Sequence, residues 1–400
     1  MSASDPDFLP EEERRAYQAA WLRELIAHAH AHAPAMRERM PGPDVFLEAV
    51  RITRKDELID LQRAAPPFGG FLGVPPAEVA RIFLSPGPLF DPQGTAPDHW
   101  RWAPALRAAG FTAAMTVHCA VSYHGTPLGW MFDGALRVLG CTVIPAGVGN
   151  TELQVQMVRG AHATGFVGTP SGLRILHDKA RELAGAPLTI DRAFVAGEML
   201  PESLREELQA LGTTVCQGYG TADLGCLGYE CLERDGMHVP ADAIVEIVDP
   251  QSGAPLPMGE TGEVVATVNE RTYPIVRFGT GDLALLRDDP CACGRTAPRL
   301  ARIVGRVGDA AKVRGMFVHP RQVEEIVRRY APEARAQLVI TRSGAHDELE
   351  VLVHAPALAA ARLEEVAAAL HDVIKVRPTL RLVDDLPADA PKVRDLRTWD

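Results

Sequence analysis

The sequence predicts an α/β protein: a large N-terminal domain of helix-covered, mainly parallel sheets with a smaller β region, followed by a small mobile α+β domain. Three observations carry this. Short β-rich runs alternate with helical ones from about residue 80. Near residue 240 the pattern changes to strand, Pro/Gly turn, strand. A basic, glycine-bounded stretch, GRVGDAAKVRG at 305–315, then separates a last compact segment from the rest. Alternating βα units bury both faces of a parallel sheet under helices, whereas strand–turn–strand runs pair antiparallel. Four hundred residues exceed what one hydrophobic core usually serves, so two domains are expected, 1–305 and 306–400.

The elements follow in order. Residues 11–40 carry apolar positions at three-to-four spacing up to Pro41, which predicts a helix. Its histidines at 28, 30 and 32 alternate, and alternating positions on a helix do not share a face, so a solvated side is expected rather than a metal site. TAAMTVHCAV (112–121) reads as a strand, PLGWMFDGALRVLG (127–140) as a helix and CTVIPAG (141–147) as the next strand. TGFVGTP then precedes the helical SGLRILHDKARELAG, and RAFVAGE precedes PESLREELQALG. AIVEIVDPQSGAPLPMGETGEVVATV (243–268) is the antiparallel signal. In the last segment, helices are expected at 320–330 and 358–376, and strands at 335–342, 348–354 and 379–383.

Composition narrows the function. The chain is 46% hydrophobic and 23% charged, ample for a globular core. A net charge of −11 argues against nucleic acid or an anionic membrane as partner, since both select a basic surface. The acidic N-terminus lacks an apolar signal region and no apolar run approaches a spanning length. Seven cysteines are an odd count, and without a signal they suggest reduced thiols in a cytoplasm.

Two motifs suggest chemistry. In GTGDLALL (279–286), Asp282 is framed by glycines after an apolar approach, which suits recognition of sugar hydroxyls. The plain alternative is a turn aspartate bonded to its own backbone. The basic glycine-rich junction at 305–315 suits a hinge that closes over an anion. Together they point to a nucleotide-using enzyme with a C-terminal lid. Cys291 and Cys293 form a tight pair, and Cys119, Cys141 and Cys216 lie in apolar runs as expected of core residues.

An ordered set of segments resembles the phenylacetate-CoA ligase family, within the superfamily of adenylate-forming acyl-CoA ligases. These segments are VAGEML (195–200), GYGTAD (218–223), VRFGTGDLALL (276–286), CACGRTAPRL (291–300) and GRVGDAAKVRGMFVHPRQVEEIV (305–327). RIFLSPG (81–87) and LGCTVIPAGVGNTELQVQMV (139–158) fall where that family has similar segments, so the resemblance spans nearly the whole chain. It implies a two-step reaction. A carboxylic acid attacks the α-phosphate of ATP to give acyl-AMP, and the thiol of coenzyme A then displaces AMP. Catalysis would rest on positioning and on neutralising charge around phosphate.

The resemblance also implies residue roles. Asp282 would bind the ribose, with Arg306 near it at the domain junction. Gly197 and Glu198 would line the adenine pocket. In the segment Gly218–Gly220, Tyr219 would stack on adenine. Thr221 would lie close to phosphate, and Asp223 would take the place of a glutamate that binds Mg²⁺. Lys392 matches the C-terminal lysine that reaches the α-phosphate and the carboxylate. Gly308 and Asp309 fall at the hinge, and Lys312 and Arg314, followed by Gly315, in the loop that helps form the coenzyme A tunnel. Cys231, His238, Cys291 and Cys293 would hold a structural Zn²⁺, with Cys226 as a substitute ligand; reduced buried thiols are the plain alternative. His118, Tyr123, His124, Trp130 and Phe132 would line the acyl pocket or simply fill the core. A homodimer is a further family expectation.

The chain departs from the family pattern at several places: Gly197 and Glu198 are adjacent, Pro391 precedes Lys392 in a shortened tail, the 118–134 segment diverges, and three departures fall at the phosphate and metal end. Ala222 replaces a hydroxyl residue, and Asp223 is one methylene shorter than glutamate. The Ser/Gly/Thr-rich phosphate loop with its lysine is replaced by SPGPLFDPQG (85–94). Proline has no N–H to offer a phosphate, and Asp91 adds a carboxylate. Three readings therefore stand: an AMP-forming ligase of an aromatic or related acid with coenzyme A, an adenylating enzyme with a carrier-protein or amine acceptor, and a ligase-like binder of nucleotide or acyl-CoA.

Overall fold

The computed structural model describes residues 5–85, 87–307, 311–314, 316–318, 320–343, 346–374 and 376–397. The chain divides into two compact units, Met1–Gly305 and Arg306–Asp400.

In the first unit, helix Glu11–His32 begins with three glutamates, which favour the positive end of the helix dipole. It buries Trp21, Leu25, Ile26 and Ala29, the four-residue rhythm of one helix face. It ends at Ala33 (φ −107°, ψ 98°) because Pro34 cannot donate the next hydrogen bond. The expected continuation to residue 40 is replaced by the short helix Pro34–Arg37. The histidines of Glu11–His32 do not all point apart: His28 and His32, four residues apart, share a face with their rings 4.7 Å apart, and His28 Nε2 lies 3.0 Å from the Arg271 carbonyl oxygen.

Among the described residues one twelve-stranded sheet runs through this unit. At one side, Thr142–Pro145, Thr116–Cys119, Gly165–Gly168, Arg192–Val195 and Thr214–Thr221 lie side by side and parallel. Helices Leu128–Val138, Thr151–Gly160, Pro170–Ala184 and Glu202–Ala210 make the crossovers. At the other side come Gly225–Tyr229, Met237–His238, Arg299–Arg306, Phe278–Arg287, Gly262–Val268 and Ala243–Val248. The expected parallel and antiparallel regions thus form one mixed sheet. The joint is strand Thr214–Thr221. Its first half pairs parallel with Arg192–Val195, and its second half pairs antiparallel with Gly225–Tyr229.

Residues 81–93 are also more regular than a loop. Arg81–Ser85 and Leu89–Gln93 form a two-stranded antiparallel hairpin in which Ser85 pairs with Leu89. Pro92 is tolerated because the strand has only one partner. Pro86 lies outside the described residues.

The second unit packs helices Pro320–Tyr330 and Leu363–Ile374 against a four-stranded sheet. The strand order is Thr379–Leu382, His346–His354, Arg335–Ser343, Val393–Asp395. Its core includes Val323, Val327, Leu338, Val351 and Leu370. No helix among the described residues is long and apolar enough to cross a membrane.

Candidate active site

Three parallel strands deliver candidate residues to one edge of the sheet, beyond their carboxyl ends. Ligands of α/β sheets settle at that edge, where strand order or direction changes. Strand Gly165–Gly168 leads to Thr169 and Ser171, and Arg192–Val195 leads to Gly197 and Glu198. Thr214–Thr221 carries Tyr219 and Thr221. Gly197 has φ +84°, a conformation that a side chain disfavours. The Ser171 hydroxyl donates to Glu198 Oε2 at 2.6 Å, tying the loops after two strands together.

Tyr219 and Asp282, 63 residues apart in the chain, meet at this edge: the tyrosine hydroxyl donates to Asp282 Oδ2 at 2.9 Å. A bulge in strand Phe278–Arg287 makes the meeting possible. Opposite Gly262–Val268, Glu263 pairs with Leu283 but Val265 pairs with Gly279. Four residue steps on one strand therefore face two on the other, and the excess falls at Thr280, Gly281 and Asp282. Such bulges re-aim side chains. Gly281 takes φ +73° there. The Thr280 hydroxyl donates to the Val264 carbonyl at 3.0 Å, accepts from Asp282 N–H at 3.1 Å and lies 3.1 Å from the Tyr219 hydroxyl. Asp282 is thus held by a neighbouring strand as well as by its own turn. Thr280 is a site residue that the sequence reading missed; its place in the same Gly-Thr-Gly-Asp run was the available signal.

Gly218 and Gly220 have packing reasons of their own. A Cβ on Gly218 would stand 2.6 Å from Phe194 Cζ, and one on Gly220 would stand 2.2 Å from the Gly225 carbonyl oxygen. Both keep the strand close to the aromatic cluster of Trp102, Phe132 and Phe194. The Thr221 hydroxyl accepts from Leu224 N–H at 3.1 Å and so shapes the turn that carries Asp223.

A second group lies where a phosphate cradle was sought. The Gln62 side chain clamps the Phe90 backbone, donating to its carbonyl at 2.9 Å and accepting from its N–H at 2.8 Å. With Phe90 held outward, Asp91 turns inward and is only 2% exposed. Asp223, with its side chain fully enclosed, lies 3.5 Å from the Lys55 ammonium. Among the described residues none of the four oxygens of Asp91 and Asp223 has a well-formed hydrogen bond, although the Ser85 hydroxyl lies near enough to lower the Asp91 carboxyl somewhat. Burial, together with the charge of Asp223, raises the Asp91 carboxyl well above the ordinary range, and Lys55 offsets part of this. Asp91 is therefore not a surface charge beside a phosphate loop. Lys55, the first residue of helix Lys55–Ala64, escaped the sequence reading because nothing local links it to residues 91 or 223.

The ligand atoms of Cys231, His238, Cys291 and Cys293 all lie within 4.8 Å of one another. Cys231 Sγ is 3.8 Å from Cys291 Sγ, and Cys293 Sγ is 3.4 Å from His238 Nε2. A tetrahedron with metal–sulfur bonds of about 2.3 Å has sulfur–sulfur edges of about 3.8 Å, so these four fit a closed zinc site. Burial lowers the His238 imidazole to about 4, leaving its nitrogen neutral and able to ligate. Burial raises Cys231 to about 12. Burial penalises Cys293 most, but hydrogen bonds from Arg295, Cys291 and Cys231 together lower the thiol. Cys226 is buried outside this group, beside the Gly228 carbonyl. Cys119, Cys141 and Cys216 are buried in the core as expected.

His118 and Phe132 are fully buried, His118 stacked on Phe166. Trp130 donates to the Tyr123 carbonyl at 3.2 Å, and the Arg81 guanidinium lies over its ring. Tyr123 and Trp130 are half-buried, and His124 keeps a largely exposed place at the chain turn before Gly125.

In the second unit, Lys392 is fixed by register. Its carbonyl accepts from Leu338 N–H at 3.0 Å as strand Val393–Asp395 joins the sheet. Gln337 anchors the preceding Pro391 carbonyl at 2.7 Å. The lysine ammonium pairs with Glu324 on helix Pro320–Tyr330. Arg306 ends strand Arg299–Arg306 and is half-buried. Arg314, at φ +51°, donates from Nε to the Asp347 carbonyl at 2.7 Å. Lys312 lies in strand Ala311–Val313, and its side chain is outside the described residues, as are Gly308, Asp309 and Gly315.

Comparison with known proteins follows the same lines. A profile of the AMP-binding enzyme family matches residues 102–269. A phenylacetate-coenzyme A ligase of Thermus thermophilus is 33% identical over 88% of this chain and 84% of its own. One of Escherichia coli is 32% identical over 86% of this chain and 82% of its own. A crystal structure of 2-hydroxyisobutyryl-CoA ligase, in complex with 2-HIB-AMP and CoA, superposes with a TM-score of 0.88. It shares 27% identity and covers 98% of this chain and 91% of that one.

Proposed function

The chain belongs to the phenylacetate-CoA ligase family of AMP-forming acid–thiol ligases, and on that premise we propose that it activates an aromatic or related carboxylic acid with ATP and transfers the acyl group to coenzyme A. The observation that carries the site assignment is the Tyr219–Asp282 hydrogen bond, which joins two remote motifs at the carboxyl edge of the sheet.

In this reading Asp282 accepts from the ribose hydroxyls, held in place by Tyr219 and Thr280. The Tyr219 ring supports the adenine, with Gly197 and Glu198 beside it. The acid's carboxylate attacks the α-phosphate, the bond to pyrophosphate breaks, and acyl-AMP results. The thiol of coenzyme A, losing its proton, then attacks the acyl carbon and AMP leaves. Lys392 supplies a point charge for the first step from the second unit, residues 306–400, as the family's C-terminal lysine does. Arg306, Lys312 and Arg314 serve the lid's junction and the coenzyme A side. Asp223, close to Thr221, is the residue to hold Mg²⁺; its undonated buried oxygens suit a hard cation. When bound, that ion neutralises charge on the phosphates. Cys231, His238, Cys291 and Cys293 hold a structural Zn²⁺ that staples strands of the antiparallel half. A homodimer in a cytoplasm completes the reading.

The test is acid-dependent exchange of pyrophosphate into ATP, followed by thioester formation with free coenzyme A across a panel of aryl acids. Both should appear; thioester formation with no acid in the panel overturns the reading. Metal analysis should find about one zinc per chain, and zinc-free protein of unaltered stability removes the staple. The tight turn between Ser85 and Leu89 favours one second reading, a binder of nucleotide or acyl-adenylate that does not consume ATP. AMP-induced thermal stabilisation without any exchange would establish it.

A further inference from the structure

The buried carboxylates at the phosphate end have no role in the scheme above beyond that of Asp223. Asp91 comes from the hairpin strand Leu89–Gln93, Asp223 from the turn after Thr214–Thr221, and Lys55 from the start of a helix. Three separate elements thus bring two buried acids and one partly exposed base close enough for the charges of Asp223 and Lys55 to act on Asp91, with Lys55 3.5 Å from Asp223. The Tyr273 phenol, bonded to Gln62 at 3.0 Å, faces the same carboxylates.

Charge balances there only with a proton or a further cation. Two ionised carboxylates against one ammonium would leave an excess negative charge, and buried charge persists only when compensated, so without a further cation one carboxyl keeps its proton. Among the described residues hydrogen bonds supply little of the compensation: none of the four oxygens has a well-formed one, and Ser85 offsets only part of the burial of Asp91. A divalent ion would balance both acids. Oxygen-only donors in this arrangement select a hard cation such as Mg²⁺ or Mn²⁺ over the softer metals that favour thiolate and imidazole. The Lys55 ammonium, 3.5 Å from Asp223, occupies the place such an ion would contest. Its stem runs beside the hairpin turn: a Cβ added to Gly87 would lie 3.8 Å from Lys55 Cε. Lys55 is also partly exposed, so its ammonium has somewhere to go.

We propose that Asp91 and Asp223 together form a resident divalent-cation site, closed by the Lys55 ammonium when the ion is absent, and that ion binding releases Lys55 toward the Gly87 turn. The ion takes the two carboxylates and the ammonium, displaced from Asp223, becomes the positive charge at a turn that lacks a lysine of its own. Asp91 is then the partner that lets a shortened acid at position 223 hold the ion without waiting for nucleotide phosphates. The later use of Lys55 rests on the ligase reading; the cation site does not.

The experiment titrates Mn²⁺ into nucleotide-free, zinc-loaded full-length protein, followed by electron paramagnetic resonance and calorimetry. One Mn²⁺ should bind per chain and be displaced by Mg²⁺. Asp91→Asn, which keeps the shape and removes the charge, should weaken Mn²⁺ by at least about tenfold. Lys55→Met should tighten Mn²⁺ by roughly tenfold, because the competing charge is gone, while lowering pyrophosphate exchange. Absent Mn²⁺ binding, or equal affinity in Asp91→Asn, overturns the site and leaves a carboxyl pair sharing a proton. Should Asp91→Asn not fold, Lys55→Met still decides: unchanged Mn²⁺ affinity overturns the exchange. A protein that binds Mn²⁺ as expected but shows no exchange in wild type refutes the ligase reading alone.

Discussion

The two ends of the candidate site are built on opposite principles. At the nucleoside end, Tyr219, Thr280 and Asp282 bond to one another and to the Val264 carbonyl across adjacent strands. At the end proposed for the phosphates, Asp91 and Asp223 are buried with no well-formed hydrogen bond on their oxygens among the described residues and one lysine nearby. A satisfied network is preorganised and stays put when its ligand leaves. An unsatisfied pair is costly alone and gains from a ligand. The first end should therefore bind by fit, and the second should respond to ions, charge and pH.

Four changes would break or sharpen that contrast, beginning with the largest effect. Lys392→Ala should lower pyrophosphate exchange by about 100-fold or more, with AMP affinity unaltered by calorimetry. A parallel loss of AMP affinity would place the lysine at the nucleoside end instead. Asp282→Ala removes two hydrogen bonds to a charged acceptor, so AMP should bind about 100-fold more weakly. The melting temperature should barely move; a lower melting temperature with intact AMP affinity would reduce Asp282 to a structural turn residue. Tyr219→Phe keeps the ring and deletes the hydroxyl, so AMP affinity should fall only about fivefold to tenfold. If Phe costs as much as Ala at 219, the ring contributes nothing and the positioning bond is everything.

The smallest effect is on stability. Burial raises the folded-state pKa of Asp91, so folding takes up a proton. This group's contribution is fully present below the ordinary carboxylate pKa and is lost as pH rises through the raised folded value. Asp91→Asn should therefore stabilise the ion-free protein by about 1 kcal/mol or more above that window, measured by urea unfolding in magnesium-free buffer. Below the window the variant and wild type should converge. A variant less stable at high pH would mean that the ionised carboxylate is satisfied in the fold.

Much of the architecture was legible in the chain. The helix Pro320–Tyr330 and the strands Arg335–Ser343, His346–His354 and Thr379–Leu382 fall where periodicity put them, because apolar spacing is a local property. The four metal-fitting residues and the Gly-Thr-Gly-Asp turn were legible through resemblance. Residues 81–93 were not: three prolines and a glycine spell a loop locally, yet the Gln62 clamp and cross-strand pairing make a hairpin.

By itself the sequence determined what repeats locally or matches a family: the alternating elements, and the family with its chemistry. Only the tertiary structure decided which distant side chains share a space. It set Tyr219 against Asp282 through a bulge, joined both sheet halves through strand Thr214–Thr221, and closed Asp91, Asp223 and Lys55 into one pocket. The reason is physical. Propensity and periodicity act over a few residues, while charge and hydrogen bonding act through space and take their values from burial that no short window of sequence contains.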